Sequence, residues 1–187
     1  MKWYIIILGL ALLVGSCDIF TVREAAPPDK PPEWSSFYIT PDSTLKNIRY
    51  SYIDARNVVK YSELFLSNYR FYFAAQDIND YGISTIWDRD AERDMLYRLH
   101  NWAANITLNL ETIPDQQDDI QSNEARIYRA YTITVQHSGT TRTYSGKMEL
   151  LMRRDNGFWR ILNWYDYRLG TNPPALTWGK LKYDFSL

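Results

Sequence analysis

The sequence contains little cysteine, histidine or glycine: one Cys, two His and eight Gly in 187 residues. The single thiol, Cys17, cannot form a disulfide within the chain, so burial of apolar side chains must hold the fold. His100 and His137 lie apart with no carboxylate motif beside them, and we predict neither a metal nor a cofactor. The chain has no glycine-rich phosphate loop and no Gly-x-Ser-x-Gly motif of a nucleophilic serine. Its net charge of −1 offers no basic surface for nucleic acid.

The only cysteine follows a short apolar segment. Residues 3–14 are apolar, but a bilayer span needs roughly 20 such residues, and the segment is typical of a secretory signal peptide. Val14-Gly15-Ser16-Cys17 resembles the lipobox of bacterial lipoproteins, in which the cysteine becomes the lipidated first residue. We expect a signal peptide over residues 1–16, palmitate or similar acyl chains on Cys17, and attachment to an inner or outer membrane of the bacterial cell envelope. The domain would then lie on the periplasmic or external side; the alternative is an ordinary signal peptide or a short anchor.

A proline-rich segment comes next. Residues 17–36 contain Pro27-Pro28 and Pro31-Pro32 with little apolar periodicity. Such sequences favour extended polyproline conformation, and the 19 residues after Cys17 could reach roughly 60 Å at ~3.1 Å each. We interpret this segment as a tether and residues 37–187 as one folded domain.

Capping residues mark the predicted helices. Thr40-Pro41-Asp42-Ser43 combines a capping hydroxyl, a proline at the first helical position and an acid near the positive end of the helix dipole. Asn57 and Asp88 are predicted to cap two further helices, and Asp94 and Arg98 have the spacing of an ion pair on the helix that Asp88 caps. The second helix is expected to bury Val58, Tyr61, Leu64 and Phe65. A strand over 70–74 and a loop around 79–82 are predicted between the second and third helices.

The second half of the chain alternates in the manner of long strands. We predict strands over residues 104–113, 124–137, 142–154 and 157–168, the last following a tight turn at Asp155-Asn156-Gly157. Long antiparallel strands twist and curl, so a strongly curved sheet is expected. Thr177 should cap a terminal helix with Trp178, Leu181 and Phe185 on one side. Aromatic residues make up 16% of the chain, which favours an aromatic core, the alternative being an aromatic pocket.

The predicted order of elements is helices, a strand, a helix and then a long curved sheet. This order resembles the nuclear transport factor 2-like (cystatin-like cone) fold, which belongs to the α+β class. Three segments carry the resemblance: residues 61–73, Gly157-Phe158-Trp159-Arg160-Ile161 with Trp164 and Asp166, and Thr177-Trp178-Gly179-Lys180-Leu181-Lys182. The last is similar to the tail of a group of bacterial lipoproteins. The resemblance implies a pocket between the helices and the concave face of the sheet, and often a homodimer through the sheet. It does not fix a function, because the family includes isomerases, dehydratases, cyclases, transport factors and binding domains.

Polar residues interrupt the faces that are expected to line this pocket. Arg129 stands among Ile127, Tyr131 and Ile133, and Asn163 follows Trp159 and Ile161. A bulge near Leu162 would switch the register and turn Trp164 and Asp166 inward. The candidate ligand-pocket residues are therefore Arg129, Tyr131, Asn163, Trp164 and Asp166. The structural alternative places Arg129 at a flaring strand end, and Asp166 against a neighbouring backbone amide or paired with a surface arginine.

Three functions are compatible with these residues. The leading hypothesis is a membrane-tethered, non-catalytic lipoprotein that binds a small apolar or amphipathic ligand or a protein. The second is an enzyme of the isomerase or dehydratase type, with Asp166 as the base and Tyr131 as a hydrogen-bond donor. The third is a structural subunit of an envelope assembly. The expected partners are the membrane, through lipid on Cys17, and a second copy of the chain through the sheet.

Overall fold

A computed structural model describes residues 34–54, 58–83, 87–170 and 176–186. Cys17, the signal peptide, most of the tether, Asn57 and Pro173-Pro174 lie outside the described residues, so their predictions stay predictions. No helix in the described ranges is long and apolar enough to cross a membrane.

Among the described residues, four helices precede the long strands. Helix α1 opens with Thr40 as the predicted cap, and the structure adds a capping box, in which the Thr40 and Ser43 side chains and backbones exchange hydrogen bonds. The Asp88 side chain accepts from the backbone N–H groups of Asp90 and Ala91, as its capping role requires. The helices are α1 (Pro41–Ile53), α2 (Val58–Glu63), α3 (Ala75–Tyr81) and α4 (Arg89–Trp102).

Two local predictions in this half are wrong. Helix α2 ends at Glu63, and strand β1 (Phe65–Tyr72) begins five residues earlier than expected, because the apolar pair Leu64 and Phe65 is buried at the sheet. The predicted loop around residues 79–82 is the end of α3. This helix stops at Gly82, whose φ of 62° is the left-handed conformation that commonly ends helices.

The strands that follow β1 are β2 (Asn105–Thr112), β3 (Asp119–Ile120), β4 (Glu124–His137), β5 (Thr140–Asp155) and β6 (Phe158–Tyr167). These six strands form one sheet in the order β1-β6-β5-β4-β2, with β3 paired to β4. The pairs β2–β4, β4–β5 and β5–β6 are antiparallel, as expected, but β1 runs parallel to β6. Helices separate β1 from the rest of the sheet along the chain, so no hairpin fixes its direction.

Turn chemistry and a bulge set the register of β6. Asn156 and Gly157 have φ values of 50° and 86°, which is the turn that Asn-Gly favours between twisted strands. The β5–β6 ladder shifts between Leu151 and Met152, so Leu162 is the extra residue. Trp159 and Ile161 before the bulge, and Trp164 and Asp166 after it, are all buried. The predicted bulge is therefore confirmed.

The last helix, α5 (Trp178–Asp184), begins at the predicted cap, Thr177. Trp178 and Leu181 are fully buried in the same core as Met95, Leu96 and other side chains of α4. The predicted Asp94–Arg98 ion pair does not form: Asp94 pairs with Arg93 at 2.8 Å. Arg98 instead donates to the backbone carbonyls of Phe185 and Ser186 at the end of α5.

Candidate functional site

Side chains of α5 lie in the space between the helices and the sheet. The Trp178 ring meets Trp164 of the sheet edge-on at 4.5 Å between centroids, and meets Tyr52 of α1 in the same way at 5.1 Å. The indole Nε1–H of Trp178 donates to the Tyr52 hydroxyl at 2.6 Å. Trp178, Leu181 and Lys182 are each 0% exposed. The chain therefore places one of its own helices where the sequence predicts a ligand pocket.

Asp166 and Tyr131 bind the first turn of this helix. The Tyr131 hydroxyl donates to Asp166 Oδ1 at 2.6 Å, and the Gly179 N–H donates to Asp166 Oδ2 at 2.7 Å. The Trp178 N–H donates to the Tyr131 hydroxyl oxygen at 2.8 Å. The N–H groups of a first helical turn have no partner within the helix. Asp166 and Tyr131 supply two of these partners, so their polar atoms already have partners in the folded chain.

Burial sets the protonation of this pair. Loss of hydration raises the pKa of Asp166 to about 6, against the opposing hydrogen bonds from Tyr131 and Gly179. Burial, and then the charge of Asp166, raise the pKa of Tyr131 well above its ordinary value. An acid that titrates near 6 beside a neutral tyrosine is chemically able to exchange a proton with a substrate. Both side chains are only 2% exposed, and their polar atoms already have partners in the chain.

A second polar cluster joins α5 to α4. Lys182 Nζ forms a buried ion pair with Glu92 Oε1, and both side chains are 0% exposed. Glu92 also accepts from the Tyr61 hydroxyl at 2.6 Å, from Trp87 Nε1 at 2.8 Å and from the Tyr69 hydroxyl at 3.3 Å. Burial lowers the pKa of Lys182, while Glu92 opposes that shift. The carboxylate is thus held by one cation and three neutral donors.

A third cluster joins α5 to α3. Buried Asp77 accepts from Arg168 Nη2 at 2.5 Å and from the Thr177 hydroxyl. Arg168 also pairs with Asp80 at 2.7 Å. Thr177 uses the same oxygen to accept from the Lys180 N–H at 3.0 Å. The start of α5 is therefore fixed on two sides, by Asp77 and by Asp166.

The predicted site residues do not form one group. Tyr131, Trp164 and Asp166 face the interior, where α5 covers them. Arg129 is 7% exposed but lies elsewhere, with Nη1 and Nη2 each donating to Asp118 at 2.8 Å. Asn163 faces away from the interior and donates to the Tyr165 hydroxyl at 3.2 Å. Its assignment to the pocket is wrong because the bulge at Leu162 reverses the alternation after Ile161.

The motifs in the sequence do not reveal the charged partners inside the domain, although a pattern in the sequence marks two of them. Lys182 falls on the same helical stripe as Trp178, Leu181 and Phe185, and Glu92 precedes Met95 by three residues and Leu96 by four. A charge on an otherwise apolar stripe indicates a buried partner. Asp77, Thr177 and Arg168 carry no comparable signal, because their elements are short or irregular.

The outer face of the sheet carries aromatic side chains. The rings of Tyr72 and Tyr165 stack at 4.6 Å between centroids with an angle of 11°. Tyr167 beside them is 46% exposed and donates to Glu149 at 3.1 Å. Burial, followed by the charge of Glu149, raises the pKa of Tyr167 to about 12. Shallow pockets of about 380 Å³ and 260 Å³ lie on either side of Tyr167.

Among the described residues, no three His, Cys, Asp or Glu side chains are grouped so that they could hold a metal ion. In the same ranges, the only buried side-chain N or O atoms without a hydrogen-bond partner are Arg160 Nε and Trp164 Nε1. Each buried carboxylate oxygen of the interior clusters therefore has at least one hydrogen-bond partner within the chain.

No protein-family model matches this sequence, and no curated protein matches it. Solved structures do match. A proposed aromatic ring hydroxylase from Novosphingobium aromaticivorans has a TM-score of 0.57 at 11% identity, over 75% of this chain and 92% of that chain. A proposed scytalone dehydratase from the same organism has a TM-score of 0.55 at 14% identity, over 74% and 90%. The beta subunit of a proposed aromatic-ring-hydroxylating dioxygenase, also from N. aromaticivorans, has a TM-score of 0.51 at 14% identity, over 72% and 93%.

The domain has the nuclear transport factor 2-like fold. The α+β class and the curved sheet are confirmed with it. Identities of 11–14% show the fold and carry no activity to this chain. In this nuclear transport factor 2-like domain the terminal helix α5 lies against the concave face of the sheet.

Proposed function

We propose that this chain is a non-catalytic interaction domain, held at a membrane of the bacterial cell envelope by lipid on Cys17. The observation that supports a non-catalytic role is the position of α5, which packs in the interior against Asp166. Both oxygens of Asp166 accept hydrogen bonds from the chain itself, at 2.6 Å and 2.7 Å. A general base needs a free oxygen within hydrogen-bond reach of the substrate proton. Asp166 therefore serves as an acceptor for a helix start, and Tyr131 serves the same helix.

Hydrogen exchange tests whether α5 is a fixed part of the fold. Groups that open locally exchange at a low free energy, whereas groups that open only with the whole domain exchange at the global value. We expect the amides of Trp178 and Gly179 to exchange with the same denaturant dependence as the amides of β4 and β5. Exchange of the α5 amides at a much lower free energy would contradict the proposal and favour the enzyme.

The enzyme remains the second candidate because one observation favours it. Asp166 has a pKa near 6 and touches Tyr131, which is the acid–donor pairing that the isomerase or dehydratase hypothesis requires. It would need α5 to leave the interior, separating Lys182 from Glu92 and exposing Trp178. The exchange experiment decides between the two functions, because only the enzyme requires local opening of α5.

The outer face of the sheet supports a role in protein contact. Tyrosine is enriched at protein interfaces because it combines large contact area with a polar tip. Tyr72 and Tyr167 are 44% and 46% exposed and lie on neighbouring parts of this face. A second copy of the chain, or another subunit of an envelope assembly, is the proposed partner. Native mass spectrometry of residues 36–187 would report a dimer or a bound ligand, and Tyr72→Ala with Tyr167→Ala should shift a dimer to monomer.

The anchor is tested separately. Single acyl chains bind membranes weakly, whereas two or more chains anchor a protein stably. Cys17→Ser should therefore move the protein from the membrane fraction to the soluble fraction. If the Cys17→Ser protein stays with the membrane, lipidation of Cys17 is contradicted. The proposed interactions of the folded domain do not depend on that result.

A further inference from the structure

An open groove of about 370 Å³ separates α1 from the edge strand β2. Its size falls within the range of small-molecule sites, which begins at roughly 300 Å³. It lies on the surface, apart from the interior in which side chains of α5 lie. Seven residues line it: Asp42, Leu45, Lys46 and Arg49 of α1, Leu110 and Thr112 of β2, and Arg129 of β4.

The rim of the groove is basic. Lys46 and Arg49 are three residues apart on α1, so their side chains lie on the same side of that helix. Both are exposed, and neither has a carboxylate within 4.0 Å among the described residues. Unlike Lys182 and Arg168, they are not used to hold the fold together.

The floor combines a fixed guanidinium with apolar groups. Arg129 is held by Asp118 at 2.8 Å through each of two nitrogens and donates to the Tyr128 carbonyl at 2.7 Å. Asp42 lies 3.6 Å from Arg129 Nη2, with its own side chain 77% exposed. Leu45 is buried at 7% exposure and Leu110 is half-buried. Three cations thus face two carboxylates, around an apolar strip.

We propose that this groove binds an amphipathic anion, namely a carboxylate or phosphate head on one aliphatic chain. The head lies between Lys46 and Arg49, which are free to donate to it, and the chain lies along Leu45 and Leu110. Charge-assisted hydrogen bonds from lysine and arginine suit carboxylate and phosphate oxygens. Arg129 is already paired with Asp118 and lies near Asp42, so the positive charge available to the head comes from the rim pair, Lys46 and Arg49. This inference goes beyond the proposed function, since it concerns neither the outer face of the sheet nor the lipid anchor.

Photoaffinity labelling of the purified full-length protein tests the site. Two probes carry a photoreactive group on a twelve-carbon chain, one ending in a carboxylate and one in a phosphate. The control probe is the methyl ester of the carboxylate, with the same chain and no charge. Labelled peptides are mapped by mass spectrometry. We expect either anionic probe, or both, to label residues 42–49 and 110–112, and the stronger of the two identifies the head group.

Matched variants test whether labelling depends on the two charges at the rim of the groove or on the total charge of the protein. Lys46→Ala with Arg49→Ala should lower labelling of the groove peptides by roughly tenfold, the loss expected for two weak charge contacts. Lys60→Ala with Arg70→Ala removes the same charges elsewhere and should leave labelling unchanged, as should the charge-conserving pair Lys46→Arg and Arg49→Lys. Equal labelling by the methyl ester, labelling confined to other peptides, or full labelling of the Ala variant would each overturn the site. Circular dichroism of each variant confirms that these exposed substitutions leave the fold intact.

Discussion

Removing the buried cation of α5 should destabilise the domain strongly. Lys182→Met keeps the length of the side chain and its apolar contacts while deleting the ammonium group. That group lies 4.5 Å from the Phe71 ring centroid and 4.7 Å from the Trp164 ring centroid, so it also contributes cation–π attraction. The substitution leaves Glu92 buried without its cation, although the neutral donors of Tyr61, Tyr69 and Trp87 remain.

The expected magnitude follows from the burial of both charges. Removing one partner of a buried ion pair costs about 3–5 kcal/mol, because the other charge is left uncompensated. Because three neutral donors still bind Glu92, we expect Lys182→Met to lower the free energy of unfolding by about 3 kcal/mol, the lower end of this range. Replacing both charges often has little effect on stability, so Glu92→Gln combined with Lys182→Met should recover most of the loss, to within about 1 kcal/mol of wild type.

Urea unfolding of residues 34–187, followed by tryptophan fluorescence, measures these free energies. Lys180→Met is the matched control, since Lys180 lies on the same helix, is 17% exposed and pairs with Asp184 near the surface. Its loss should stay below about 1 kcal/mol. A Lys182→Met variant as stable as the Lys180→Met control would refute the buried pair, and with it the seating of α5.

Three further predictions concern the contacts around Asp166. Because burial raises the pKa of Asp166 from 3.8 to about 6, the folded state binds this proton more tightly than the unfolded chain does; the contribution of Asp166 to stability is fully present below about pH 4, and about 3 kcal/mol of it is lost as the pH rises through 6. The stability difference between wild type and Asp166→Asn should change over that range, and a constant difference would contradict the shift. Gly179→Ala places a Cβ 2.8 Å from the Phe73 ring and should cost about 1–3 kcal/mol in urea unfolding; a neutral result would mean that α5 packs less closely. Gly146→Ala places a Cβ 2.3 Å from the Tyr131 hydroxyl and should lower the free energy of unfolding by at least about 2 kcal/mol. An unchanged free energy of unfolding would mean that Tyr131 does not occupy its place beside Asp166.

Helix-capping residues and the alternation of apolar and polar side chains in the strands made much of the fold predictable. Thr40, Asp88 and Thr177 each accept a backbone N–H at the start of a helix, as their residue types indicate. These signals act within a few residues along the chain. The direction of β1 beside β6 was not predictable, because parallel pairing depends on how the intervening helices pack and no local turn records it.

The candidate site was less predictable for the same reason. Lys182 and Glu92 are 90 residues apart, and Tyr131 and Asp166 are 35 apart. Periodicity shows that a charged side chain lies on a buried stripe, but it does not show which partner neutralises it. The alternation of β6 did predict that Asp166 turns inward after a bulge. What it meets there depends on α5, which comes from a different part of the chain.

The seating of α5 ties the chemistry of the interior to the stability of the domain. Asp166 can act on a substrate only if the Gly179 N–H releases it, and the same movement would separate Lys182 from Glu92. The hydrogen bonds, the ion pair and the burial of Trp178 would then be lost together, which is a large fraction of the 5–15 kcal/mol that typically stabilises a domain. Opening at that cost resembles unfolding more than a catalytic cycle. Surfaces such as the α1–β2 groove and the outer tyrosines require no such opening, and contacts there leave the interior intact.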